Sequence, residues 1–188
     1  SVLGRHANLQ CWLKRIKDWD LDQKNTVVGG CALGCAVFMG TNKLKTVKVL
    51  LDAGAALNYR SFSGGSVLTN AVGNEDSEPE VVRVILKSLE SFYGDGNTGF
   101  KSIANYRCRA TTFKRKGIEF VAKAMHRTGL IRSKLMTYVA TKAGTTALKL
   151  AVVRGDVEIV KILLEHGADP YVENDLGMNA FEICKKFG

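Results

Sequence analysis

The sequence lacks any long uncharged apolar run. No stretch approaches the roughly 18 residues that a membrane-spanning helix requires, which excludes such a helix. Residues 1–30 do not show the basic-then-apolar order of a signal peptide. The five cysteines (Cys11, Cys31, Cys35, Cys108 and Cys184) are odd in number, and no pair has C-x2-C spacing. Reduced thiols in a reducing compartment are therefore expected, cytoplasmic or nuclear first, with an organelle reached after leader removal left open. Cys31 and Cys35 are spaced to share a helix face, but no second Cys or His pair completes a metal set, so no metal is expected. No Ser or Cys nucleophile stands at a motif spacing from His6 or His126. The acidic runs around Glu75–Glu80 and Asp18–Asp22 lack the glycine of a calcium loop. The glycine pairs Gly29-Gly30 and Gly64-Gly65 lack the following Lys-Ser/Thr of a phosphate loop. Neither catalysis nor a cofactor is expected.

What is present is globular. The chain has 188 residues, 46% hydrophobic and 24% charged, enough for one domain or a short solenoid. Its net charge of +9 is concentrated. Between Lys101 and Lys142 stand eleven Lys/Arg and one acid, Glu119, giving +10, so the rest (16 basic, 17 acidic) sums to −1. A field so localised attracts anionic partners.

Internal repetition is the strongest pattern. Gly144-Thr-Thr-Ala-Leu-Lys-Leu-Ala151 is followed by Val157-Glu-Ile-Val-Lys-Ile-Leu-Leu164 and Gly167-Ala-Asp169. The same frame returns in Gly29–Ala36 with Val47–Ala55, and in Gly64–Ala71 with Val81–Leu86. The last leucine of a second helix precedes the next opening glycine by 13 positions, Leu51 to Gly64 and Leu164 to Gly177. Applied to Leu86, the rule points to Gly99. The opening glycines are then Gly29, Gly64, Gly99, Gly144 and Gly177.

These motifs resemble the ankyrin repeat: a G-x-T-x-L-x-x-A opening, a V-x-I-V-x-x-L-L second helix and a G-A-D exit. The resemblance implies an all-α ankyrin-repeat solenoid of stacked helix-turn-helix units with finger loops. Short helices of this kind bury their apolar faces by stacking on the next pair. The units are expected at about 1–25 (partial), 26–60, 61–95, 96–140 (expanded and basic), 141–173 and 174–188 (partial). In the third, the second helix is expected over Ile118–Met125. The family's T-P-L-H motif is degraded: Ala32, Val67, Ser102, Ala147 and Ala180 hold the proline position, and Gly34, Thr69, Ala104, Lys149 and Glu182 the histidine position. Loss of a cap and of hydrogen bonds is expected to follow. Because the chain begins and ends mid-unit, it is expected to belong to a longer protein or to have a partner over Phe181–Phe187.

The resemblance also implies a function, a non-catalytic protein–protein interaction module that binds its partner on the concave face of fingers and first helices. Carried over by position, that face comprises Val27, Val28, Phe38, Met39, Phe62, Ser63, Asn74, Asn97, Thr98, Phe100, Lys142, Ala143, Thr145, Arg154, Asp175, Leu176 and Met178. Arg107, Arg109, Lys114, Arg115 and Lys116 form a candidate anion-binding group, with Tyr106 and Phe113 nearby. The expected partner is another protein with an acidic or apolar patch. Nucleic acid or an acidic membrane is the alternative, though no nucleic-acid motif accompanies the charge. A structural subunit of a larger assembly is the third reading.

Overall fold

The computed structural model describes residues 6–16, 18–24, 30–39, 42–61, 64–74, 76–94, 98–109, 116–118, 120–121, 123–124, 128 and 143–187. The helices among them are α1 (His6–Arg15), α2 (Ala32–Met39), α3 (Lys43–Asp52), α4 (Val67–Val72), α5 (Pro79–Tyr93), α6 (Thr98–Ala104), α7 (Ala147–Arg154), α8 (Val157–Glu165) and α9 (Ala180–Phe187). A helical stretch also runs through the described residues of 116–124.

Two rows of helices make the stack. First helices pack in the order α2, α4, α7, α9, and second helices in the order α1, α3, α5, α8. Within each unit α2 packs on α3, α4 on α5 and α7 on α8. The reason lies in where the apolar residues fall. Leu33, Ala36, Leu50, Leu68, Ile85, Leu86, Leu148, Ile159, Ile162 and Leu163 are all buried and join one continuous core. Small Ala36, Ala71 and Ala151 let the first helices approach closely.

The degraded motif is repaired locally, contrary to the expected loss of capping. Ser66 Oγ accepts the Thr69 amide at 3.2 Å and starts α4. Thr146 Oγ1 does the same for Lys149 on α7 at 3.4 Å. Lys149, in the histidine position and 1% exposed, donates Nζ to the Val172 carbonyl at 3.1 Å. At Gly34 the missing side chain makes room, since any Cβ there would overlap the ring of Tyr59, whose hydroxyl is bound by Asn70 Nδ2.

One expectation is corrected. Among the described residues the stack contains no unit built on Gly99, because α4 packs directly on α7 and α5 on α8. Arg154 Nη1 donates to the Val72 carbonyl at the end of α4 at 3.0 Å, and Arg83 meets Glu158 at 3.7 Å. Gly99 lies inside α6, a short helix beside α5, and opens no finger. The 35-residue interval from Gly64 to Gly99 is a coincidence of spacing. The units 61–95 and 141–173 are neighbours in space.

Candidate functional site

The fingers show where the additional residues went. In the second unit the Ser61 amide donates to the Gly65 carbonyl (3.0 Å), and the Gly64 amide donates to Ser61 (2.8 Å). In the last finger Asn174 bonds to Met178 (2.9 Å) and Gly177 to Asn174 (3.1 Å) in the same pattern. Between them, the Cys108 amide donates to the Thr145 carbonyl (2.8 Å) and the Gly144 amide to the Cys108 carbonyl (2.8 Å). Cys108 thus stands where Ser61 and Asn174 stand. One finger hairpin is assembled from 108–109 and 143–145, and residues 110–142, 33 in number, are inserted at its tip. Gly64, Gly144 and Gly177 share φ of 78°, 72° and 74°, the left-handed conformation that this turn requires and glycine adopts without strain.

The split finger fits tightly between its neighbours. A Cβ on Gly64 would overlap the Arg109 carbonyl, and one on Gly144 would overlap the Asp175 carboxylate. Asp175 also ties the insertion down. Its Oδ1 receives Arg107 Nη2 and its Oδ2 receives Lys123 Nζ, both at 2.8 Å. Burial works against the charge on Asp175, but the Lys123 hydrogen bond and the charges of Lys123, Arg107 and Arg109 outweigh it. They hold the carboxyl below its ordinary range. For Lys149, burial first and then the Arg107 charge depress the ammonium to about 8.

The residues carried over by position fall into separate environments. Phe38 is 50% exposed at the end of α2, and Leu176 and Met178 are half-buried in the last finger. Asn74 and Arg154 occupy the same position of successive units and have a structural task. Asn74 Nδ2 reaches the Phe38 carbonyl, and Arg154 reaches that of Val72, so each donates to the free carbonyl end of the preceding unit's first helix. Phe100 and Thr145 are 7% and 3% exposed and pack inward, which withdraws them from a docking surface. Met39 ends α2. Val27, Val28, Phe62, Ser63 and Lys142 lie outside the described residues. Of the basic group, Arg107 is held by Asp175, Arg109 and Lys116 are exposed, and Lys114 and Arg115 lie outside the described residues.

Sequence reasoning assigned no task in the site to Cys108, Asn105, Lys123 or Lys149. Asn105 Oδ1 accepts the Asp169 amide at 2.6 Å and so fixes the segment before the split finger to the exit of α8. Nothing local marks Cys108 as a finger residue, because its partner glycine stands 36 positions later. Among the described residues no cluster of His, Cys, Asp and Glu is arranged to hold a metal, and no helix is long and apolar enough to cross a membrane.

The ankyrin repeat family matches residues 143–175. Over 44 residues the chain is 48% identical to an ankyrin repeat-containing protein of Treponema pallidum (strain Nichols), covering 23% of this chain and 15% of that protein. Over 145 residues it is 30% identical to the mitochondrial disaggregase of Bos taurus, covering 77% of this chain and 20% of that one. The chain therefore spans a fifth or less of the length of these relatives.

Proposed function

This chain belongs to the ankyrin-repeat family, and from that premise we propose that it is a non-catalytic module that docks another protein on its row of fingers and first helices. Ankyrin repeats generally mediate protein–protein interaction and are typically non-catalytic. The observation that carries the reading is the split finger: a +7 insertion (eight Lys/Arg and one Glu over 110–142) at the tip of a row that the family uses for binding. Loop insertions in repeat arrays commonly carry function while the stack supplies rigidity. The basic charge steers an acidic partner and raises the encounter rate. Given the likeness to a disaggregase several times its length, the module serves within a longer chain or assembly, presenting a bound protein to activity supplied elsewhere. An odd number of cysteines, none in C-x2-C spacing, fits a reducing compartment.

The test is binding of the partner to the chain with Arg109, Lys114, Arg115 and Lys116 all replaced by Glu. Lost or strongly slowed association supports the insertion as part of the docking face. Unchanged association removes the insertion from it. The charge concentration favours one second reading, an anion-binding module for nucleic acid or an acidic membrane. There, binding falls steeply and linearly in log[salt], whereas apolar docking on the helix face changes little.

A further inference from the structure

At the root of the insertion lies a cleft of ≈540 Å³ lined by Phe120, Lys123, Ala124, Thr128 and Asp175. Phe120 is 71% exposed and, with Ala124, forms an apolar wall. The Asp175 carboxylate also lines the cleft, its charge already met by Arg107 and Lys123 at 2.8 Å. Ile118 and Val121, both more than half exposed, and exposed Lys116 stand on the same helical stretch. The only acid among residues 110–142 is Glu119. Among the described residues, this cleft joins an apolar lining to the cations Lys116, Lys123 and Arg107.

We propose that this cleft is the anchor pocket for a peptide segment of the partner protein, one that places a single large apolar side chain among acidic residues. The proposal rests on the protein-docking reading above and narrows it to a site and a ligand chemistry. The concavity favours a peptide over a bilayer, whose flat surface would leave the cleft unfilled. The apolar lining of Phe120 and Ala124 favours an uncharged anchor over a phosphate, which would lose its water there without gaining a partner. The net charge of +7 over residues 110–142 attracts the carboxylates flanking the anchor and adds selectivity, and the apolar anchor supplies the desolvated centre.

The experiment is selection of a library of random short peptides on the whole chain, followed by affinities measured by fluorescence anisotropy against three variants. Phe120→Ser removes the apolar wall. Ala124→Arg fills the cleft while adding positive charge. Phe38→Ser alters the first-helix face, which adjoins Cys108 at the root of the split finger but does not line the cleft. We expect selected peptides of net negative charge around one aromatic or large aliphatic residue. Phe120→Ser and Ala124→Arg should each weaken them about tenfold, and Phe38→Ser should leave them unchanged. Phe120 and Ala124 are exposed, so the melting curves of these variants should match the parent and exclude misfolding. Binding that Ala124→Arg tightens or leaves unchanged overturns the pocket and leaves only electrostatics. Failure to enrich such peptides also overturns it. If selected peptides respond to Phe38→Ser alone, the pocket is refuted while protein docking stands. If phosphatidylserine vesicles or single-stranded DNA bind and no peptide does, both fall.

Discussion

The helix pair α7/α8 and the 110–142 insertion belong to one repeat unit, but different forces hold them. The pair buries Leu148, Ile159, Ile162 and Leu163 against α4 and α5, and this apolar contact needs no particular charge. The insertion, where described, leaves Ile118, Phe120 and Val121 exposed and meets the stack through Lys123 on Asp175, beside Arg107 at its root. Burial makes the stack indifferent to what is spliced into a finger tip. Ionic attachment makes the insertion responsive to salt, pH and anionic partners.

If that contrast holds, Ile162→Ala should be the most damaging change. Truncating a fully buried residue of the stack should cost about 2–5 kcal/mol, read from urea unfolding. Lys149 should give the next largest signal. Its folded value of about 8 lies below the ordinary 10.5, so between those values the unfolded chain holds more protons. Stability should therefore rise with pH across that window, by about 1–3 kcal/mol. Lys149→Met should abolish the rise, which the difference between the two pH profiles checks. Gly64→Ala should cost about 1–3 kcal/mol, because alanine strains the left-handed turn and its Cβ overlaps Arg109. Hydrogen exchange at 106–109 should accelerate with it.

Asp175→Asn tests the attachment itself. Partly exposed ion pairs contribute little, so a loss of about 1 kcal/mol or less is expected at neutral pH. A depressed carboxyl contributes stability above its unfolded value and loses it as pH falls through the folded one, so parent and variant should converge in acid. Proteolysis within the insertion should increase in the variant at neutral pH, a readout that damage to the helices would not confine there. The smallest effect should come from deleting 110–142 and joining Arg109 to Ala143. The hairpin then regains the length of its neighbours, and melting should shift by less than about 1 kcal/mol. Complete unfolding of the deletion would break the distinction between stack and insertion.

Much of the fold was legible because each unit carries its own marks. Gly64, Gly144 and Gly177 open fingers as the spacing required, and the Val-x-Ile-Val-x-x-Leu-Leu segment forms α8. The error at Gly99 has a physical source. A glycine at the right interval is indistinguishable in sequence from a finger glycine, and only its helical backbone within α6 separates the two. The candidate site was legible as charge but not as geometry. The block Lys101–Lys142 was visible from composition, whereas its place at a finger tip depends on Cys108 meeting Gly144 and Thr145 across the inserted residues. Asn74 and Arg154 were read as contact residues because position alone cannot tell a side chain facing a partner from one bonding the preceding helix.

The sequence by itself determined the local units: helix pairs with apolar stripes, turn glycines and a concentrated positive charge, since each depends on residues within a few positions of one another. Only the tertiary structure decided which units touch. Stacking follows the apolar faces that fit, so the chain brings α4 and α5 against α7 and α8 and leaves α6 beside α5, outside the two rows. No short-range pattern encodes a choice made between surfaces so far apart along the chain.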